Sequence, residues 1–205
     1  MANEPQQVVL PVGLYGTSYL PVVVDASGNI VVSGDVSVRG ISKTVSVTKA
    51  LESAVAYTAG DVLSETDTAS AGTAWTFSAI FRANNTGGYI TKAVAICETT
   101  AVTPVLTLYL YNATPTCELD DNAPNNGLLH ADLAKFIGKI GFPAMTSIIA
   151  GDSIAIATPS TYGNLPLWVD AASAADDLIG VLICETGFTN TATNDMTIRL
   201  TLEQY

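Results

Sequence analysis

A histidine and an aspartate two residues apart are the first candidates for chemistry in this sequence. His130 and Asp132 have the types of a catalytic base and of the carboxylate that orients it beside a serine nucleophile. No Gly-x-Ser-x-Gly turn, His-Glu-x-x-His pair, phosphate-binding loop or Gly-x-Gly-x-x-Gly motif accompanies them. We therefore expect His130 to be a turn or surface residue and the protein not to be an enzyme.

An oxygen-rich loop over residues 118–127 is the second candidate. Hard oxygen ligands close together hold calcium, but this spacing does not match the EF-hand loop. Asp and Asn also favour turns, because their side chains bond to the neighbouring backbone. We interpret the loop as a set of turns with no cofactor, and calcium at Asp120 and Asp121 is the alternative. Asp170, Asp176 and Asp177 form a second acidic loop with the same interpretation.

Aromatic side chains are the third candidates, because their faces stack on sugar rings. Trp75 alternates with Phe77 and Phe81 on one face of a predicted strand, which indicates a core position. Trp168 stands next to a loop and is open to a binding role. With Tyr162 and the Asp cluster, it makes the loops 112–127 and 158–176 candidates for glycan recognition.

The composition excludes several classes of protein. The 205 residues suit one domain with an attached arm, and 13% charged against 48% hydrophobic residues exclude a disordered polyelectrolyte. The net charge of −11 would repel the phosphates of nucleic acid. The sequence shows neither an apolar run of ~18 residues nor a signal-peptide pattern, so we expect a protein that is not exported and has no membrane partner.

Short apolar runs rich in Val, Ile, Thr and Tyr predict the elements that position these residues. Gly, Pro, Asn and Asp separate the runs, which is typical of an all-β protein, and only residues 128–135 suit a helical turn. We predict a jelly-roll-like β-sandwich over residues 44–205. The predicted strands are 8–12, 19–24, 30–38, 44–48, 73–81, 89–97, 105–111, 136–142, 153–157, 165–169, 178–184 and 196–202. Alternation predicts a core that includes Trp75, Phe77, Phe81, Ile90, Val94, Ile96, Leu106, Leu108, Leu110, Ile137, Ile140, Ile154, Ile156, Ile179, Val181, Ile183, Ile198 and Leu200.

Residues 1–43 differ from the rest of the chain. Residues 19–32 predict a β-hairpin whose turn has the form Asp-x-x-Gly-Asn, and residues 32–42 read as an extended connector. A two-stranded unit cannot bury both faces, so it needs cover from the body or from another copy of the chain. We predict an N-terminal arm whose assembly contacts are made by Leu14, Tyr15, Tyr19, Leu20, Val22 and Val24.

Two of the three cysteines lie in a short repeat. Residues 95–99 (AICET) recur as residues 182–186 (LICET), and each copy leads through a Thr-rich loop into an alternating strand. The wide spacing of Cys97, Cys117 and Cys184 argues against a disulfide framework or a zinc site. We expect each half of a sandwich to contain one equivalent hairpin, with Cys97 and Cys184 buried at related positions. Chance similarity between Thr-rich hairpins is the alternative.

Several of these segments resemble structural proteins of tailed bacteriophages. Residues 14–32 (LYGTSYLPVVVDASGNIVV) are similar to a short module of such proteins. The body resembles a group of phage virion proteins at residues 56–62, 87–90, 108–116 and 121–124, with a weaker likeness at 136–140. The shared motifs are structural turns, so the resemblance implies a virion role and no active site.

From the resemblance and the composition together we predict a capsid decoration or cement protein. It would be made in the host cytoplasm and lie on the capsid exterior. Its partners would be the major capsid protein and other copies of itself, with a homotrimer as the expected state. The alternative is a head- or tail-fibre protein whose sandwich binds a glycan or receptor. A small hydrolase with two carboxylates is a third alternative, for which the sequence offers no evident pair.

Overall fold

The computed structural model describes the backbone of residues 10–15, 18–24 and 30–31, and it describes residues 40–52, 54–65, 72–148, 151–191 and 195–204 with their side chains. These residues contain sixteen strands and one short 3-10 helix over His130–Asp132, inside the segment predicted to hold a helical turn. The strands are β1 (Leu10–Tyr15), β2 (Ser18–Val24), β3 (Ile30–Val31), β4 (Ile41–Ala50), β5 (Ala56–Tyr57), β6 (Val62–Leu63), β7 (Trp75–Phe77), β8 (Gly87–Cys97), β9 (Leu106–Tyr111), β10 (Phe136–Phe142), β11 (Thr146–Ser147), β12 (Ser153–Ala157), β13 (Leu167–Asp170), β14 (Leu178–Cys184), β15 (Phe188–Thr189) and β16 (Asp195–Gln204).

The chain divides into two compact units, residues 1–39 and residues 40–205. In the first unit, β1, β2 and β3 form an antiparallel sheet in that order, and β2 pairs with β3 through Val23–Val31 and Val24–Ile30. In the second unit, β4 begins at Ile41 and pairs with β16 along its whole length. The role of residues 1–43 as an arm stays a prediction.

Two antiparallel sheets make up most of the second unit. The five-stranded sheet has the order β10-β9-β14-β6, and β7 also pairs with β14. The six-stranded sheet has the order β11-β12-β8-β16-β4, and β13 also pairs with β8. Strands β5 and β15 form a separate small pair. The predicted all-β class is confirmed, and the antiparallel sheets are consistent with a β-sandwich.

One hydrophobic core contains side chains from both sheets. The five-stranded sheet contributes Trp75, Phe77 and Leu108, and the six-stranded sheet contributes Ala95 and Ile198, all fully or almost fully buried. Side chains alternate across a strand, so each sheet points one set of residues at the other sheet. Burial of each large side chain stabilises the fold by about 1.5 to 3 kcal/mol. The core position predicted for Trp75 is confirmed.

Part of the predicted core is wrong because β12 and the second half of β8 face the other way, whereas Ile90 in the first half of β8 is buried as predicted. Ile96 and Ile154 are only partly buried, Ile156 is 46% exposed, and Ile137 packs at the margin of the core. In β12 the inward residues are small ones such as Ala155. Alternation identifies the two faces of a strand but not which of them is inside, when both carry apolar residues.

The two copies of the repeat occupy equivalent places. Cys97 ends β8 and pairs with Met196 of β16, while Cys184 ends β14 and pairs with Leu106 of β9. The residue after each cysteine donates an equivalent backbone hydrogen bond, Glu98 to Asp195 O (3.0 Å) and Glu185 to Val105 O (2.8 Å). Each copy therefore begins one of two arches, β8 to β9 and β14 to β16, which cross between the sheets in opposite directions. The expectation of hairpins is wrong, and the expected burial of Cys97 and Cys184 is confirmed.

Candidate functional site

The predicted assembly residues all lie on the first two strands. Leu14 and Tyr15 are in β1, whereas Tyr19, Leu20, Val22 and Val24 are in β2, and the backbone pairs Leu14 with Tyr19. Their side chains lie outside the described residues. The assembly contacts assigned to them therefore stay a prediction.

The outer face of the six-stranded sheet carries an aliphatic patch, formed by Ile96, Ile148, Ile154 and Ile156 around Val94, which is itself buried as predicted (6% exposed). Ile154 lies opposite Ile96 and Ile156 lies opposite Val94, so β8 and β12 present two aliphatic rows on the side away from the core. Ile148, 52% exposed, follows β11 at the end of the same hairpin. Large apolar side chains adjacent to one another on a surface mark a contact site more often than isolated ones do.

The same face is polar on the neighbouring strands β4 and β16. Thr44 and Thr201 share a hydrogen bond of 2.9 Å between their hydroxyls, and Thr48 and Thr197 share one of 2.8 Å. Arg199 Nε donates to Ser46 Oγ at 3.1 Å. The outer face therefore changes from aliphatic to hydroxyl-bearing between β8 and β16.

An aromatic pair lies at the beginning of β8, at the opposite end from the aliphatic patch. Trp168 in β13 lies directly opposite Tyr89, with ring centroids 5.1 Å apart and planes at 69°. Trp168 is 51% exposed and Tyr89 is 41% exposed. Glu203 of β16 lies on the other side of Tyr89. The row Trp168, Tyr89 and Glu203 thus crosses three strands on the outer face.

The outer face of the five-stranded sheet is covered by the chain itself. The connection between β9 and β10, residues 112–135, lies over this face and is called the cover here. Cys117 of the cover, with the partly buried Leu119 and Leu129, packs against Val181 and Ile183 of β14 in a second hydrophobic cluster. All seven residues of β14 are buried as a result.

Asp120 and Asp121, in the acidic loop of the cover, accept hydrogen bonds from segments outside the cover. Asp121 accepts hydrogen bonds from the Ser64 amide (2.7 Å) and the Tyr57 hydroxyl (2.7 Å), and Asp120 accepts one from the Gly72 amide (2.7 Å). Burial raises the pKa of Asp121 and outweighs these hydrogen bonds, which lower it. Among the described residues no group of three or more His, Cys, Asp or Glu side chains is placed to hold a metal. Within the loop, Glu118 accepts from the Asp120 amide and Asn125 from the Gly127 amide, as the turn interpretation expects, whereas Asp120 and Asp121 bind distant segments. Calcium at Asp120 and Asp121 stays a prediction.

His130 and Asp132 have different environments. Asp132 is fully buried and accepts two hydrogen bonds of 2.9 Å from the Thr116 amide, and Lys135 Nζ lies 3.3 Å from it. Burial alone would raise the pKa of Asp132, but the hydrogen bonds from Thr116 and Lys135 lower it further than burial raises it. His130 is exposed. The Asp132 carboxylate therefore holds two parts of the cover together by binding Thr116. Among the described residues it forms no hydrogen bond with the His130 imidazole.

A buried lysine that the sequence did not indicate joins the two sheets. Lys49 of β4 pairs with Glu65, and its Nζ also donates to Thr73 O (2.6 Å) and lies 5.7 Å from the centre of the Trp75 ring. Burial lowers the pKa of Lys49 more than Glu65 raises it. For Glu65, burial would raise the pKa, but hydrogen bonds from Lys49 and Thr73 outweigh it and lower the pKa to about 2.

The Lys49 region also contains a serine and a pocket, which together suggest a Ser–Lys pair. Lys49 Nζ lies 3.3 Å from Ser64 Oγ, but Ser64 is fully buried and donates to Thr73 O at 2.8 Å. The Ser64 hydroxyl is therefore already hydrogen-bonded and not accessible to a substrate. Lys49, Ser64, Glu65 and Thr73 form a structural cluster that links β4 to the segment before β7. The open pocket of about 410 Å³ beside it is lined by Val47, Thr48, Lys49, Ala50, Glu65, Thr73, Ala74 and Thr76.

The residues predicted for glycan recognition do not share one place. Tyr162 is 48% exposed and lies against Gly141 of β10, Trp168 lies on β13, and Asp120 and Asp121 bind backbone near β6. Sequence reasoning identified Trp168 but missed Tyr89, although the glycines before Tyr89 are a sign of close backbone approach in a strand.

The sequence matches no protein-family model and no curated protein. No helix among the described residues is long and apolar enough to cross a membrane. The surfaces of the second unit are therefore the observations from which a function is proposed below.

Proposed function

We propose that the protein is a non-enzymatic structural protein of a tailed-phage virion, a decoration protein that attaches to the major capsid protein on the capsid exterior. Residues 1–43 serve as the arm, and copies of the chain associate with one another, as a trimer in the expected case. Attachment buries apolar surface across subunit boundaries, so that many modest contacts add up over the shell. The chain is made and assembled in the host cytoplasm.

The strand order supports the finer assignment of the sandwich as a jelly roll. One sheet contains β4, β16, β8 and β12 as neighbours, and the other contains β6 or β7, β14, β9 and β10. Among these strands, taken in chain order, the first and the last (β4 and β16) are adjacent in one sheet. The second and the second-last (β6 or β7, and β14) are adjacent in the other. Two nested Greek keys produce this order, and jelly rolls of this kind occur in viral capsid proteins and in lectins.

The aliphatic patch is the observation that carries the proposal. Ile148 and Ile156 are about half exposed, whereas the outer residues of β14 in the other sheet are buried by the cover. A rigid strand pair that presents isoleucines outward suits permanent attachment, in which the apolar surface is removed from water once. Arg199 of β16, opposite Val94, borders the patch on one side.

The arm is tested by comparing the full chain with residues 40–205 in binding to particles that lack the protein. We choose this start because β4 begins at Ile41 and pairs with β16. The full chain should bind in hundreds of copies per particle by gel densitometry, and the shortened chain should stay folded but bind at least tenfold more weakly. Undiminished binding by residues 40–205 would refute the arm, and a failure of the full chain to bind would refute decoration.

A fibre head that recognises a host receptor is the second candidate. The exposed pair Trp168 and Tyr89 favours it, because aromatic side chains with exposed faces are typical of recognition surfaces. Copy number separates the two candidates. A few tens of copies per particle would place the chain in a fibre or tail, and hundreds would place it on the shell.

A further inference from the structure

We infer that Trp168 and Tyr89 form a binding site for a neutral saccharide. The two rings are adjacent, 51% and 41% exposed, and lie on the outer face of the six-stranded sheet. The electron-rich face of an aromatic ring attracts the C–H bonds of a pyranose, which line one side of the sugar. The inference goes beyond assembly, since it holds for a shell component and a fibre alike.

The aromatic pair is fixed in place before any ligand arrives. Trp168 lies so close to the backbone of β8 that a Cβ atom at Gly87 would overlap its indole ring. Glycine at position 87 therefore allows the indole to lie against the strand, and the edge contact with Tyr89 restrains the other side. A rigid aromatic surface loses little conformational entropy on binding, which favours affinity for a weakly polar ligand.

The polar groups around the pair match the hydroxyls of a sugar. Glu203 lies opposite Tyr89 and accepts a hydrogen bond of 3.4 Å from Thr91 Oγ1, while Asp170 lies two residues beyond Trp168 in β13. Carboxylates accept hydrogen bonds from hydroxyl donors, and such charge-assisted bonds are stronger than neutral ones. Apolar stacking on the rings and hydroxyl donation at the rim are the two interactions that a pyranose offers.

The same groups discriminate between the ligands of aromatic surfaces. A nucleotide would bring phosphate toward Glu203 and Asp170, in a chain of net charge −11. Glu203 and Asp170 would attract a quaternary ammonium, which Lys92, exposed farther along β8, opposes only in part, so choline is included in the test as the competing ligand. A proline-rich peptide presents carbonyl acceptors, whereas the carboxylates of the rim are acceptors too. We favour a neutral saccharide, because its hydroxyls can donate to both carboxylates while its C–H face lies on a ring.

The saccharide site and the aliphatic patch are compatible with simultaneous use. Tyr89 is five residues before Val94 on β8, and at the rise of a strand this separates them by roughly 16 Å. Attachment through Ile156, which lies opposite Val94, therefore leaves the aromatic end of the sheet available. Loss of saccharide binding is expected to leave particle attachment unchanged, so failure of one proposal is distinguishable from failure of the other.

The test is binding of the full chain to an array of neutral and acidic oligosaccharides, followed by calorimetric titration with the strongest neutral binder. Trp168→Ala and Tyr89→Ala should each weaken that binding at least tenfold. Tyr162→Ala is the matched control, because Tyr162 is 48% exposed but packs against β10. The other tryptophan, Trp75, is buried, so the saccharide should also reduce acrylamide quenching of Trp168 fluorescence in the unmodified protein.

Four results would overturn the inference. They are no binding to any neutral oligosaccharide at millimolar concentration, binding unaffected by both substitutions, equal loss with Tyr162→Ala, and preference for choline or a proline-rich peptide over every sugar. Thermal unfolding of each variant verifies its fold. If Trp168→Ala does not fold, Tyr89→Ala alone decides the outcome.

Discussion

The outer faces of the two sheets carry similar residues but have different environments. By the repeat, Ile96 of β8 corresponds to Ile183 of β14, and both point away from the core between the sheets. Ile183 is buried under the cover, whereas Ile96 is only partly buried and lies opposite the partly buried Ile154. The connection between β9 and β10 accounts for the difference, because its residues 112–135 fold back over the outer face of the five-stranded sheet.

The comparison assigns different roles to the apolar residues on the two outer faces, stability on one and association on the other. Under the cover they enlarge the hydrophobic core and stabilise the fold. On the six-stranded sheet, Ile148 and Ile156 are about half exposed, and association would bury the exposed half. A stability measurement and a binding measurement should therefore separate the two faces.

A charged substitution on each outer face should give the largest difference in stability between the two sheets. Ile183→Asp buries an unpaired carboxylate beneath the cover and should cost more than about 4 kcal/mol of unfolding free energy. Ile156→Asp exchanges one half-exposed side chain for another and should cost about 1 kcal/mol or less. Urea denaturation gives both values. Ile156→Asp should nevertheless weaken particle attachment at least tenfold, and intact attachment would show that the patch is not the interface.

Acid should open the cover before it unfolds the sheets. The folded pKa of Asp132 lies below its ordinary value of 3.8, so its carboxylate stabilises the closed cover above pH 3.8 and loses this effect as the pH falls toward the folded value. Asp121 has a raised pKa, and its protonation acts in the opposite direction. Hydrogen-exchange protection of residues 112–135 should fall as the pH drops below 3.8, while that of β9 and β14 persists.

Asp132→Asn provides the control for this experiment. It keeps the shape of the side chain but removes its charge, so the cover should be less protected already at pH 6 and should show a weaker dependence on pH. Equal loss of protection in the cover and in β14 would contradict a separate opening. The six-stranded sheet has no such cover among its described residues and should show no matching change.

The sequence predicted the strands better than the faces they present. Strands predicted at 136–142, 153–157 and 178–184 coincide with β10, β12 and β14, because turn residues bound each apolar run. The inward face of β12 was predicted wrongly, since Ala155 and Ile156 are both apolar and only the large side chains of the opposite sheet decide which fits inside.

The sequence predicted a candidate site only where a single residue type indicated it. Trp168 stood out by its type, but its partner Tyr89 comes from a strand about eighty residues earlier, and non-local pairing has no periodic signal. Lys49 and Glu65 meet across two sheets for the same reason. The repeat of residues 95–99 was readable, because both copies keep the same cysteine and glutamate, and it located two equivalent arches.

The smallest expected effect concerns the hydroxyl-bearing part of the six-stranded sheet. Thr197 lies directly beside Ile96, and its exposed hydroxyl bonds to Thr48 at 2.8 Å. Thr197→Val removes that bond but adds a side chain suited to a strand, so the unfolding free energy should change by less than about 0.5 kcal/mol in urea. The substitution also extends the aliphatic patch by one position, and attachment should not weaken. A tenfold loss of attachment would show that the threonines, rather than the isoleucines, make the contact.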